Sequence, residues 1–454
     1  MIHKFKQKDL CIVMDVNSGA IHAVDPLVYA LLDAYPDPDR EALLREGREG
    51  YPQEAVAEAL AEIDGLIAAG QLFSEDTQLD AYQMSRHNPV IKALCLHVAH
   101  DCNIRCKYCF AAQGAFEGHR TLMSYETGVK ALEFLVARSG NRRQLEVDFF
   151  GGEPLMNFET VKRLVTYGRE LEKSSGKVFR FTMTTNGVLL DDEKIEYINR
   201  EMHNLVLSLD GRRETNDQMR ETIGGGGTYD LIVPKFRKAV ATRGGKSYYL
   251  RGTFTRFSKD FSKDVLHMAE LGFDQVSVEP VVAPPDQPYA LQESDIPELC
   301  AEYESLAEAM LAKEKAGEGF NFFHFQIDLG RGPCVIKRVL GCGAGAEYVA
   351  VTPEGDVYPC HQFVGMPEFQ MGSVLTEEPL NDEVVRDFAS ATVFTKEACK
   401  GCWARFYCSG GCHANAWHEN GTVLEPYRIG CELEKKRVEC AVYLQVKRLL
   451  EESQ

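Results

Sequence analysis

The sequence predicts an α/β protein built on a partial (β/α)6 barrel of parallel strands, with a small winged-helix module before it and a cysteine-rich region after it. The pattern along the chain carries this reading. A hairpin and short helices come first; from about residue 90 apolar strand-like runs alternate with amphipathic helical ones; beyond about residue 330 cysteine, glycine and proline dominate. The expected boundaries are 1–73 for the N-terminal module, 74–89 for a polar linker, 90–330 for the barrel and 331–454 for the C-terminal region.

In the N-terminal module, "LCIVMDVNSGAIHAVD" at 10–25 reads as two short strands around an Asn17-Ser18-Gly19 turn. Asp25 and Pro26 then supply an N-cap and a first-turn proline for a helix running to about Tyr35. "PDPD" at 36–39 breaks it, a short helical stretch follows, and Val56, Leu60, Ile63 and Ile67 share one helical face before Gly70. "SEDTQLDAYQMSRHNP" is the linker.

The barrel strands are expected at "IKALCLHVA", "LEVDFF", "FRFTMTT", "NLVLSLD", "YYLRGTFT" and "DQVSVEPVV", and the helical segments between them imply parallel pairing. Barrels of this kind place their chemistry in the loops after the strands. There the sequence sets a three-cysteine loop, then "GGEP", "TTNG" and "SLDG". "GGGG" at 224–227 reads as a flexible loop.

A chain of 454 residues exceeds the size at which one core keeps growing. With 68 acidic against 50 basic residues and a formal net charge of −18, neither nucleic acid nor an anionic membrane surface is expected as the main partner. The N-terminus lacks a signal-peptide pattern and no apolar run reaches the roughly 18 residues of a membrane span, so a cytoplasmic protein is expected. Fifteen cysteines then point to metal or cluster ligation and away from a disulfide scaffold.

Cys102, Cys106 and Cys109 in "HDCNIRCKYCF" offer three convergent thiols, one short of a closed zinc site. A zinc knuckle missing a ligand is the alternative to a cubane with one open iron. The C-x3-C-x2-C spacing, with Tyr108 before the last cysteine, resembles the radical S-adenosylmethionine (SAM) superfamily. The resemblance implies that these cysteines hold a [4Fe-4S] cluster, that Gly151, Gly152, Glu153 and Pro154 receive the methionine amine of SAM, and that Ser208, Asp210 and Arg220 contact its ribose and carboxylate. Thr184 and Asn186 add polar contacts, and Val282 walls the adenine.

The C-terminal order Cys342, Cys360, Cys399, Cys402, Cys408, Cys412, Cys431 resembles the SPASM extension of peptide-modifying radical SAM enzymes. By that resemblance Cys399, Cys402, Cys408 and Cys431 hold an outer auxiliary cluster, while Cys342, Cys360 and Cys412 hold an inner one with a site left for a substrate thiolate or for Cys334. Three [4Fe-4S] clusters and SAM are the implied cofactors.

The combination, with an N-terminal winged helix that binds a leader peptide as an added strand, resembles the thioether-forming maturases of SCIFF precursors (six cysteines in forty-five residues). Its implied partners are a cysteine-rich precursor peptide and a reductant such as flavodoxin or ferredoxin. Other peptide oxidation, carbon-carbon cross-linking or epimerisation is the alternative. Anaerobic sulfatase maturases carry an aspartate base after the cysteine that Cys360 matches; here the residue is His361 in "PCHQF".

Overall fold

In a computed structural model, residues 1–35, 39, 50–84, 90–116, 118–329 and 339–452 are described. The short helical stretch expected after "PDPD" and Cys334 fall outside them.

Six parallel strands form the centre: β4 (Ala93–His100), β7 (Gln144–Gly151), β8 (Val178–Thr185), β9 (Asn204–Ser208), β11 (Ser247–Phe254) and β12 (Gln275–Pro280). Each matches one expected run. They lie in the order β12-β11-β9-β8-β7-β4. Helices such as Tyr125–Arg138, Phe158–Ser175 and Phe261–Glu270 connect them.

Strand register explains the two faces. Leu96, Phe149, Met183, Leu205 and Tyr248 are paired neighbours across five strands, and all are buried. The adjacent row, Cys95, Asp148, Thr182 and Asn204, must face the other way because side chains alternate along a strand. The first face packs on the helices; the second is polar and forms the lumen. Gly168 lets the helix Phe158–Ser175 approach the sheet, since a Cβ there would lie 2.6 Å from Phe181.

Two short pairings shape the rim. β5 (Ile104–Cys106) pairs antiparallel with β10 (Arg220–Thr222), and β6 (Thr121–Leu122) pairs with β4. β13 (Asn321–Phe322) adds a parallel edge beyond β12. Within the "GGGG" stretch, Gly227 bridges to Glu221 and a Cβ there would meet the Asp217 carboxylate at 2.2 Å, so this glycine is a packed contact and not simply slack chain.

The C-terminal region extends the same sheet. β14 (Tyr348–Val351) runs parallel beside β4, and β15 (Asp356–Tyr358) and β16 (Gly372–Ser373) follow antiparallel. The sequence pattern suggests a region held by ligands more than by a core. Instead Val349, Val351, Val357, Phe363, Phe369, Phe388 and Leu433 all join the main core. The closing helix Arg428–Glu452 packs along Ile296–Lys315, with ion pairs Lys436–Glu304 and Arg448–Glu314 between them.

The N-terminal module is a three-stranded antiparallel sheet of β1 (Ile2–Gln7), β2 (Leu10–Asp15) and β3 (Ile21–Val24) with helices Pro26–Leu31 and Gln53–Ala68. β1 is one strand more than the hairpin expected at 10–25; its charged "HKFKQ" alternates too weakly to stand out. The expected linker contains the helix Gln78–Met84, and Ser74 bonds back to Asp15 through its backbone N–H at 3.1 Å. Among the described residues no helix is long and apolar enough to cross a membrane.

Gly152 closes the junction between β7 and the cysteine loop, where a Cβ would lie 2.1 Å from the Asp101 carbonyl oxygen. Backbone cannot yield as a side-chain tip does, so Gly152→Ala should cost about 1–3 kcal/mol or more. A thermal melt no lower than that of the wild type would contradict this contact.

Candidate functional site

The cysteine loop is held by backbone on both sides. The N–H groups of Gly152 and Glu153 donate to the carbonyls of Ala99 (2.8 Å) and Asp101 (2.9 Å), joining the end of β7 to the end of β4. Gly151 adopts φ +120°, and a Cβ there would sit 2.2 Å from the Ala99 oxygen. On the far side, the pairing of β5 with β10 sets Cys106 opposite Arg220, and the Lys107 N–H donates to Met219 at 2.9 Å. The Arg105 guanidinium bonds the carbonyls of Cys102 and Ile104 at 2.7 and 2.8 Å, bracing the turn.

Cys102, Cys106 and Cys109 line one cavity together with Tyr108, Gly151 to Pro154, Thr184, Asn186, Ser208 and Arg220. Nearly every residue expected from the sequence thus meets in one place. Val282 lines the adjoining cavity, which shares Tyr108, Cys109 and Phe110 with the first. Burial pushes the Cys102 thiol up to about 11 and that of Cys106 to about 12. Burial disfavours their thiolates, so only a bound cation or cluster would hold them deprotonated.

Several polar groups play parts the sequence did not reveal. Glu153 is fully buried, and its carboxylate is engaged by donors of the protein. It accepts from Thr185 Oγ1 (2.8 Å), Asn186 N (2.8 Å) and Leu155 N (3.0 Å), stapling the loop after β7 to the loop after β8. Burial lifts its carboxyl to about 7. Asn186 Nδ2 in turn donates to Asn103 at 2.8 Å and lies 3.6 Å from Cys102 Sγ. Thr184 is engaged by Asp148 at 3.0 Å, a lumen carboxyl that burial raises to about 7.

Tyr108, Asp210 and Arg220 form one network. Tyr108 donates to Asp210 at 2.7 Å, Arg220 Nη1 donates to the Tyr108 hydroxyl at 3.1 Å, and Asp210 also accepts from the Thr253 N–H at 3.0 Å. The aromatic before the last cysteine is therefore a strut that orients Arg220. Arg220 Nε is buried with no hydrogen-bond partner among the described residues. A buried guanidinium donor left open costs about 1–3 kcal/mol unless something accepts from it, and a carboxylate in the cavity would do so.

The C-terminal cysteines sort into two sets by mutual proximity. Burial raises the Cys360 thiol, with Cys412 and Cys342 adding to the effect. Burial raises Cys408 to about 12, with contributions from Cys431 and Cys399, and Cys431 to about 11, with contributions from Cys399 and Cys402. Cys342, Cys360 and Cys412 are thus one neighbourhood, and Cys399, Cys402, Cys408 and Cys431 another. Cys342 and Cys412 are exposed. All described cysteines are free thiols. Among the described residues no three His, Cys, Asp or Glu side chains could hold a single metal ion. Thiols in each other's field but not around one point fit a cubane, whose irons bind thiolates at separate corners.

Aromatic and histidine residues that carry no spacing signal border the first cavity. The ring of His361 lies 5.2 Å from that of Phe110 and 5.1 Å from that of Phe150, and its Nδ1 is 3.3 Å from the Tyr348 hydroxyl. His97 and His100 face each other at 3.0 Å beneath Phe116. Only three-dimensional neighbourhood reveals these.

Residues 96–247 match the Radical SAM superfamily, and residues 342–403 match the SPASM iron–sulfur cluster-binding domain. The chain is 22% identical over 334 residues to the cysteine-type anaerobic sulfatase-maturating enzyme of Clostridium novyi, covering 69% of this chain and 86% of that enzyme. Among solved structures it is similar to native anSMEcpe with bound AdoMet and Kp18Cys peptide, at 20% identity and a TM-score of 0.62 over 78% of this chain and 98% of that one. Streptococcus suis SuiB bound to precursor peptide SuiA gives 16% identity and a TM-score of 0.53 over 94% and 98%. The chain therefore carries a radical SAM domain followed by a SPASM iron–sulfur cluster-binding domain, on the α/β fold that these two structures share.

Proposed function

We propose that this protein is a radical SAM peptide maturase that forms intramolecular thioether bonds between cysteine sulfur and carbon in a cysteine-rich SCIFF precursor. The observation that carries the reading is an inner thiol set that, among the described residues, is one short. Cys342, Cys360 and Cys412 supply three ligands, two of them exposed, where a cubane has four corners to fill. A substrate thiolate can take the fourth position. The sulfatase-maturating enzyme and the two structures with bound peptides support a peptide substrate by their similarity.

Cys102, Cys106 and Cys109 would hold a [4Fe-4S] cluster at which SAM binds, and the two C-terminal sets would hold two more. When bound, the cluster and SAM supply one-electron cleavage of the sulfonium and removal of a hydrogen atom from the peptide. The protein's own groups orient and enclose. Arg220, aimed by Tyr108 and Asp210, offers its open Nε to the SAM carboxylate. The glycine turn at 151–152, Ser208 and Thr184 line the same cavity. Phe110, Phe116, Val282 and Met366 line the adjoining cavity.

Leader binding falls to the N-terminal sheet. On the side away from β2, strand β3 pairs with no strand among the described residues, and an extended peptide can add there. His361 in place of an aspartate weighs against sulfatase-type oxidation. A flavodoxin or ferredoxin supplies the electron.

Anaerobic incubation with SAM, reductant and a cysteine-rich precursor, followed by thiol alkylation and mass spectrometry, tests the reading. The expected product is two hydrogens lighter per bond, with one thiol protected from alkylation for each. A product lighter by two hydrogens but still fully alkylated would point to carbon-carbon cross-linking instead. Cys106→Ala should abolish formation of 5′-deoxyadenosine. Cys412→Ala should keep SAM cleavage and lose the cross-link, and undiminished cross-linking in that variant would remove the inner set from the reaction.

A further inference from the structure

Three residues of the helix Arg428–Glu452, spaced three apart, share one side: Cys431, Glu434 and Arg437. Cys431 belongs to the outer thiol set. The Arg437 side chain, 8% exposed, is held from three directions. Its Nε donates to the Tyr303 hydroxyl at 2.9 Å, Nη1 to Glu434 Oε2 at 3.2 Å and Nη2 to Glu279 Oε2 at 3.3 Å. Tyr303 comes from the helix Ile296–Lys315 and Glu279 from the last residues of β12. The other oxygen of Glu279 lies 3.5 Å from His324 Nε2, which is 3.1 Å from Ser277 Oγ.

The two ends of this chain of charge meet different cysteine sets. Glu434 stands one helical turn from Cys431 of the outer set, while Glu279, at the end of β12, lines the same cavity as Cys412 of the inner set, whose thiol it helps to raise. One cavity of about 240 Å³ is lined by Glu279, Glu434 and Arg437 together with Cys408, Cys412 and Cys431. The ion pairs therefore line the cavity that the two sets share.

A buried ion chain is a costly way to join a helix to a strand, because desolvation of the charges offsets much of their attraction and apolar packing would serve as well. What apolar packing cannot do is fix a field. Charges held beside a metal centre act on it directly, and net charge and hydrogen bonding near a cluster are among the factors that set its reduction potential.

Resting on the ligation described above, we propose that Glu279, Arg437 and Glu434 set the difference in reduction potential between the two auxiliary centres. Each carboxylate disfavours reduction of the centre nearest to it, and the shared guanidinium favours reduction of both. These are positioning residues, acting on the centres through the field alone.

The test is an EPR-monitored redox titration of the reconstituted full-length protein, with iron and sulfide content measured alongside. Cys412→Ala identifies the inner signal by weakening or abolishing it. Glu434→Gln should raise the midpoint of the outer centre and leave the inner one nearly in place; Glu279→Gln should do the reverse. Arg437→Gln should lower both, and none of the three should move the N-terminal cluster. If Arg437→Gln does not fold, the two near-isosteric glutamine variants still decide the matter. Two auxiliary signals whose midpoints ignore all three changes, or move in one direction with each, would overturn the proposal. Iron content and spectra showing fewer than two auxiliary centres would instead overturn the ligation reading on which it rests.

Discussion

Everything at the candidate site depends on a backbone-to-backbone contact, the closure of the end of β7 onto the end of β4. Gly151 and Gly152 have no Cβ, and only so can the N–H groups of Gly152 and Glu153 reach the carbonyls of Ala99 and Asp101. That closure determines where Cys102 emerges. The staple from Glu153 to Asn186 then ties the third loop to the second, and Asn186 reaches back toward Cys102. Three loops that are far apart in sequence become one wall because the buried polar groups of Glu153 and Asn186 are satisfied by their neighbours.

The second constraint is continuity of the sheet. With β14 hydrogen-bonded to β4 in parallel register, the strand that launches the first cysteine loop is also the strand on which the C-terminal region is built. Tyr348 and His361 accordingly arrive beside Phe110 and Phe150. The inner thiol set is fixed relative to the barrel by main-chain hydrogen bonds and shared core, which is what a reaction between a barrel site and a second centre requires.

Much of this was legible in the sequence because it rests on local signals. All six barrel strands follow from apolar runs, while the three groups of cysteines and the residues expected to contact SAM follow from the resemblance of their motifs to the radical SAM and SPASM families. What stayed hidden is long-range. Charged residues such as Arg437, Glu434 and Glu279 look like an ordinary solvated helix face and a strand end until the fold brings 158 positions of sequence separation down to a hydrogen bond. Glu153 reads as a ligand of the SAM amine, and only the structure shows its carboxylate engaged by donors of the protein. β1 was missed because its "HKFKQ" gives a weak pattern, yet Phe5 reaches the main core. The core of the C-terminal region was underestimated because Phe363, Phe369 and Phe388 are scattered among glycines and cysteines.

The N-terminal module is not a detachable head. His3 stacks on Trp403 at 3.6 Å, directly after Cys402, and Val16 packs in one apolar cluster with Val393, Phe406 and the outer-set thiol Cys399. Arg405, which follows in the same loop, ion-pairs with Asp76. Docking of residues 1–16 and order around the outer thiols are therefore thermodynamically linked: whatever stabilises one stabilises the other by the same free energy. A chain cut before the barrel would lose part of the scaffold around Cys399 along with its first sheet. The module that would greet a peptide and the thiols farthest along the chain are, in folding terms, a single cooperative unit.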